Sequence, residues 1–566
     1  MYFVDTIDVP GLGNRGYLAG GAHSAVVVDP PRDIDRVITA AARRGVRITH
    51  VVETHIHNDY VTGGLELARL TGAAYLVPAA ARVAYDRVPV ADGDRTRIED
   101  DLVLRALATP GHTPHHTSYV LEEAGRAVAV FTGGSLLIGT VGRPDLVEPG
   151  LTGGLARAQY DSAHRLADEL PDETRVLPTH GFGSFCSAGH ADAGAATTIG
   201  HERQVNDALV KDVDTFVAEL LAGLDDVPAY YAHMGPANAR GPAPVDLTPP
   251  RRADAEEIAA RLAAGEWVVD LRHRVAFAEG HVAGAVNFEA DGQPATYLAW
   301  LLPWGKPVTL LAETPAQLAD AQRELVRVGI DRPAAAATGS PADWVRPGER
   351  PRSFPRATFT ALAAQDGVVT LDVRRDSERH AGHIKGSVHI PLHELRGRLS
   401  EIPDGTVWVH CAGGMRAAIA ASLLDAAGRD VVAVDDSFDS ARTAGLPMAR
   451  VTPAEARERA GAGAVLVDVR EAQEWAEGHA PGAVLAPLSA LSAGEPLPES
   501  ARSRPVIAIC RSGKRSREAA TLLSARGAEV VDVVGGMRAW VEAGFAVVTE
   551  SGLLPAMTES GASGEE

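Results

Sequence analysis

Thr54-His55-Ile56-His57-Asn58-Asp59-Tyr60 follows directly on Ile48-Thr49-His50-Val51-Val52, an apolar run of the kind that forms a buried strand. If the chain stays extended as it leaves that strand, residues 55, 57 and 59 project to one side and converge on a point. Neutral imidazole nitrogens with a carboxylate oxygen suit a borderline divalent cation such as zinc or ferrous iron. An isolated H-x-H is more often solvated or structurally hydrogen-bonded, so its meaning depends on what recurs elsewhere.

It does recur. Leu102-Val103-Leu104-Arg105-Ala106-Leu107 runs into Thr109-Pro110-Gly111-His112-Thr113-Pro114-His115-His116, and Arg175-Val176-Leu177-Pro178 runs into Thr179-His180-Gly181. Each time a histidine stands just after an apolar strand, beside Gly or Pro that turns the backbone. Ligands collected from successive strand ends are how an α/β scaffold assembles a metal centre.

With these motifs, residues 1–245 resemble the metallo-β-lactamase fold superfamily, and within it the persulfide dioxygenases fused to rhodanese domains. His55, His57 and Asp59 match its T-H-x-H-x-D signature, His112 the following G-H-T, and His180 the last histidine of the fold. Phe131-Thr132-Gly133-Gly134-Ser135 and Gly142-Arg143-Pro144-Asp145 resemble its F-T-G-D and G-R-x-D segments. The resemblance implies an αββα sandwich. Two positions depart from the pattern. Tyr60 replaces a histidine of the dinuclear members, and Gly134 replaces an aspartate that, with the positions of His55 and His112, holds iron in the persulfide dioxygenases. His55, His57 and His112 therefore stand as the expected ligands of one divalent metal, with ferrous iron preferred and zinc the alternative. Asp59, His180, Tyr60 and Asp145 are accessory candidates.

The remainder is a threefold repeat. Asp270-Leu271-Arg272, Asp372-Val373-Arg374 and Asp468-Val469-Arg470 each end an apolar strand and are followed by Gly280-His281, Gly382-His383 and Gly478-His479. A second strand then leads to Ala312, Cys411 or Cys510. Strands alternating with helices imply parallel α/β modules of about 100 residues. These copies resemble rhodanese domains, in which a loop cysteine carries a persulfide. The third matches best: Cys510-Arg511-Ser512-Gly513-Lys514-Arg515-Ser516 opens a helix, where backbone N–H groups and cationic side chains favour a thiolate. Cys411-Ala412-Gly413-Gly414-Met415-Arg416-Ala417 keeps the cysteine with less positive charge. Ala312-Glu313-Thr314-Pro315 has no thiol, which suits a spacer or docking module. Cys510 and Cys411 are the catalytic candidates, and Arg511 to Ser516 form the persulfide loop.

The expected organisation is 1–245 metal domain, 250–345, 352–449 and 452–550 rhodanese-like modules, and 551–566 a polar disordered tail. Only 3 cysteines in 566 residues exclude a disulfide framework and fit a reducing compartment. Two of these are the loop cysteines; the third, Cys186, reads as a small buried residue. A net charge of −20 without a basic block argues against nucleic-acid binding. No apolar stretch is long enough to span a bilayer and the amino terminus starts a strand, so a cytoplasmic protein is expected; a homo-oligomer is compatible with the sequence. The expected substrates are low-molecular-weight thiol persulfides, with thiosulfate or sulfite as sulfur partners. The reading is metal-dependent persulfide oxidation to sulfite coupled to rhodanese transfer. The alternatives are a sulfurtransferase with a degenerate metal domain and a zinc hydrolase of thioesters.

Overall fold

The computed structural model describes residues 2–187, 196–291, 293–502, 504–549 and 552–554. Of the tail expected to be disordered, Gly552–Leu554 instead pairs antiparallel with Val547–Thr549, and the rest lies outside the described residues. Among the described residues no helix is long and apolar enough to cross a membrane.

Two six-stranded sheets face each other in the amino-terminal domain. The first runs, in spatial order, Phe3–Val9, Asn14–Gly20, Ser24–Val28, Arg47–Val52, Ala74–Pro78 and Val88–Val90. The second runs Thr197–Thr198, Arg175–Pro178, Arg126–Gly133, Thr117–Glu123, Leu102–Ala108 and Arg95–Glu99. Strand alternation sorts the side chains into three layers. Val26, Val28 and Val52 meet Leu104, Leu121 and Phe131 between the sheets. Val27 and Val51 point outward beneath helices Asp35–Arg44 and Gly64–Thr71, which contribute Val37, Ala41 and Leu67. Val120, Val130 and Val176 pack under helix Thr152–Glu169 through Ala156, Ala163 and Leu166. The αββα sandwich is present. The segments after Val52, Ala108, Gly133 and Pro178 meet at one edge of it, where the motif histidines lie.

Three parallel sheets follow. Each is stabilised by the same buried ion pair, and the repeat Asp-x-Arg…Gly-His encodes it. Arg272, Arg374 and Arg470 bond Asp270, Asp372 and Asp468 at 2.6, 2.7 and 2.6 Å. The same guanidinium Nη2 also donates to the carbonyl of Gly280, Gly382 or Gly478, at 2.7 Å each. Strand end, helix end and Gly-His turn are thus tied by one side chain.

The chain falls into two compact units, Met1–Pro355 with Ser422–Gly428, and Arg356–Ala421 with Arg429–Glu566. The first unit joins the metal domain to the module without a loop cysteine. Arg327 of that module bonds buried Asp33 at 2.7 and 2.9 Å, and its carbonyl accepts the Val61 N–H at 2.7 Å, one residue beyond the metal motif. Arg32 reaches back to the Val326 carbonyl at 2.9 Å and to Asp331. Replacing Arg327 by Ala leaves a buried carboxylate with only the distant Arg36 and Arg323, at 3.4 and 3.8 Å. We expect that to cost about 3 kcal/mol, read as a lower urea midpoint. Arg323→Ala, which breaks the exposed pair with Asp35, should cost about 0–1 kcal/mol in the same measurement.

Candidate metal centre and sulfur-transfer loops

Beyond Val52 the chain bends rather than staying extended, so alternate residues do not share one side. His55 turns toward His112 and His180, and these three fully buried imidazoles form a group able to hold a metal ion. The Nε2 atoms of His55 and His180 are 3.5 Å apart. His57, the other expected ligand, lies 3.2 Å from Asp29 Oδ1 and 3.2 Å from Glu53 Oε2, outside this trio but within two further ligand groups.

Hydrogen bonding fixes the tautomers of the trio. His112 Nδ1 donates to the Arg143 carbonyl at 2.8 Å. His180 Nδ1 donates to Asn14 Oδ1 at 3.0 Å, the Asn14 amide nitrogen being committed to Asp59 at 2.6 Å. His55 Nδ1 lies 2.9 Å from Thr54 Oγ1, whose own hydrogen goes to Asp29 at 2.7 Å. With each Nδ1 hydrogen engaged, each Nε2 keeps its lone pair free, the state a metal ligand requires. Burial, reinforced by neighbouring histidines, lowers the pKa of all three, that of His112 to about 3. The fit to one divalent ion rests on this donor set: neutral imidazole lone pairs facing one another in a buried site.

His57 is of the opposite kind. Burial opposes its charge, but Asp29 and Glu53 outweigh burial and raise its pKa to about 10, while its own charge holds Asp29 down to about 2. With those two carboxylates it also forms a group able to hold an ion. Tyr60 packs on the His57 ring, centroids 4.5 Å apart, and its hydroxyl donates to the Asp29 carbonyl at 3.3 Å. Asp59 stands 3.4 Å from His180 Nδ1 and forms a further group with His57 and His180. Asp145 is committed to Arg143 at 2.7 and 2.8 Å and joins no ligand group among the described residues. His115 is exposed, whereas buried His116 accepts the Gly134 N–H at 3.0 Å. Cys186 is buried, 3.8 Å from the Tyr231 hydroxyl, and burial pushes its thiol pKa up.

Gly134 is explained by His112. A Cβ at position 134 would stand 2.2 Å from His112 Cδ2 and 2.7 Å from Nε2, so the imidazole occupies the space from which an aspartate would reach inward. Asp29, Glu53 and Asn14 went unrecognised in the sequence. Asp29 had a signal, an acid between a valine strand and Pro30-Pro31, where it adopts a left-handed φ of 47°.

In the third module Cys510 ends strand Val506–Ile509 and is fully buried, its Sγ accepting the Gly513 N–H at 3.2 Å. Gly513, at φ 85°, begins helix Lys514–Ala525. Arg511, Ser512 and Lys514 are exposed at the mouth, and Arg515 bonds Glu474 with both nitrogens at 2.6 Å. Gly536 lets its helix close on the cysteine, for a Cβ there would fall 2.1 Å from the Cys510 carbonyl oxygen. The second module repeats the cradle, with Gly414 N–H to Cys411 Sγ at 3.1 Å and Arg416 on Glu378 at 2.5 and 2.7 Å. In the first, Gln317 Oε1 accepts the Glu313 N–H at 2.8 Å and closes the loop over Ala312.

Comparison with known proteins agrees with this construction. The model of the metallo-beta-lactamase superfamily matches residues 10–180, and that of the rhodanese-like domain matches 254–346, 356–443 and 452–543. The chain is 30% identical over 233 residues to the mitochondrial persulfide dioxygenase ETHE1 of Homo sapiens, covering 40% of this chain and 82% of that one. It is 33% identical over 235 residues to a hydroxyacylglutathione hydrolase of Cereibacter sphaeroides, again 40% and 82%. A crystal structure of a metallo-beta-lactamase from Staphylococcus aureus superposes with a TM-score of 0.54 at 26% identity, over 60% of this chain and 99% of that one.

Restoring the motif's carboxylate should harm this site. Gly134→Asp is expected to weaken divalent-metal binding by about tenfold or more in chelator competition, because His112 must be displaced. Gly134→Ala should do the same, whereas tighter binding in the Asp variant would show that His112 can yield.

Proposed function

Because the chain belongs to the metallo-beta-lactamase superfamily and joins to that fold three rhodanese-like domains, we propose that it oxidises a low-molecular-weight persulfide to sulfite and couples this to sulfur transfer on Cys510. The observation that carries this reading is the pairing, in one chain, of a neutral three-imidazole group with a cysteine cradled at a helix start. Persulfide, dioxygen and water become thiol, sulfite and two protons; the outer sulfur is oxidised and dioxygen reduced.

In this reading His55 and His112 hold the ion as the motif implies, and His180 takes the place expected for His57. Ferrous iron is the preferred ion, with zinc the alternative. When bound, it would supply the site where dioxygen is activated. Arg143, Asn14 and Thr54 hold the three rings in the ligating tautomer, and the charged His57–Asp29–Glu53 group fixes the floor beneath them. Three thiols without disulfides favour the cytoplasm. Gly134 favours the second reading, a sulfurtransferase whose metal domain no longer oxidises.

The two separate in one pair of assays. Iron-loaded protein given glutathione persulfide should consume oxygen, and His112→Ala should abolish it; uptake no greater than in that variant leaves the sulfurtransferase reading. Thiocyanate formation from thiosulfate and cyanide should survive metal removal and disappear in Cys510→Ser. Its persistence there would remove Cys510 from the reaction.

A further inference from the structure

We propose that Ser516 and Asp532 take the thiol proton of Cys510 as it attacks its sulfur donor, and that this pair makes Cys510, not Cys411, the transferring cysteine. The proposal rests on the sulfur-transfer half of the reading above.

Cys510 is fully buried, so its proton needs an acceptor within the protein. Its thiol faces Ser516 Oγ at 3.5 Å, and the Ser516 hydroxyl donates to Asp532 Oδ2 at 3.3 Å. An ionised carboxylate only accepts, so the serine hydrogen points at Asp532 and its lone pair is left toward the thiol. Arg450 holds the carboxylate in place, with Nε to Oδ1 at 2.9 Å and Nη2 to Oδ2 at 2.7 Å, and the same Nη2 donates to the Gly513 carbonyl at 3.3 Å. One arginine therefore registers both the proton acceptor and the cradle. Around Cys510 stand Asp532 from the adjacent strand, Arg450 from the strand beyond it, and Arg515 and Arg517 from the helix.

The step balances. The Cys510 hydrogen passes to Ser516 as the serine hydrogen passes to Asp532. The thiolate then attacks the outer sulfur of an anionic sulfane donor such as thiosulfate. The new S–S bond forms on Sγ, the old one breaks, and sulfite leaves with its electron pair. Asp532 becomes a neutral acid as Cys510 becomes a persulfide anion, so the charge is redistributed inside a cationic pocket without an exchange with solvent. The acid returns its proton when the outer sulfur is passed on.

The second module is the internal control. It keeps the cysteine, the glycine N–H and the arginine–glutamate pair, but Ala417 stands where Ser516 does and Ala433 where Asp532 does. Arg356 pairs across the sheet with Ala433 in the register of Arg450 with Asp532, and bonds Asp435 instead. Cys411 thus has the cradle without this proton acceptor.

The test is sulfur loading of the intact chain by thiosulfate, read at each cysteine by peptide mass spectrometry across a series of pH values. Ser516→Ala and the isosteric Asp532→Asn should each slow loading of Cys510 by about 10²-fold at neutral pH. The deficit should close as pH rises and hydroxide replaces the internal base, and Cys411 should stay unloaded on the timescale of wild-type Cys510. A loss of equal size at every pH, no loss, or equal loading of the two cysteines overturns the proposal. Absence of loading on wild-type Cys510 would instead sink the sulfur-transfer reading itself.

Discussion

Every Nδ1 hydrogen in the His55, His112 and His180 group is committed to an oxygen acceptor, and the chemistry of the amino-terminal domain follows from that constraint. The acceptors come from separate places: the Arg143 carbonyl, the Asn14 amide and the Thr54 hydroxyl. Each is itself held by a further bond, Asn14 to Asp59 and Thr54 to Asp29. The result is a set of lone pairs that cannot relax by ring flipping without orphaning a buried donor, which would cost about 1–3 kcal/mol per group. Burial keeps the rings neutral, and a divalent ion answers the electrostatics they create.

The same economy of charge separates His57 from its neighbours. Two residues along the chain from His55, it lies between two carboxylates that raise its pKa, with Tyr60 laid over its ring. His112 meanwhile fills the space beside Gly134, so the two departures from the motif are matched by two rearrangements.

The three modules show how much function can diverge on a constant frame. The buried Asp–Arg pair and its glycine carbonyl are repeated almost without change in length. What differs is the loop at the next strand end. Ala312 leaves a module without a thiol, which contacts the amino-terminal domain through Arg327. Cys411 and Cys510 share a cradle yet differ in the residues behind it.

The sandwich, the repeats and their clamps were legible in the sequence, because strand periodicity, strand-end histidines and the Asp-x-Arg…Gly-His spacing are local patterns with local physical causes. That His55 and His112 converge and that Cys411 and Cys510 sit at helix starts was legible for the same reason. The grouping of His180 with His55 and His112, and the carboxylates around His57, were not. They depend on Asp29, brought beside His57 by the paired neighbouring strand, and on a bend after Val52 that turns the chain back toward Glu53 and breaks the alternation assumed for an extended segment. Sequence by itself determined which residues could ligate, ionise or attack. Tertiary structure decided which of them meet a carboxylate, a carbonyl or one another, because hydrogen-bond partners and charges brought from distant strands set the protonation state of each imidazole.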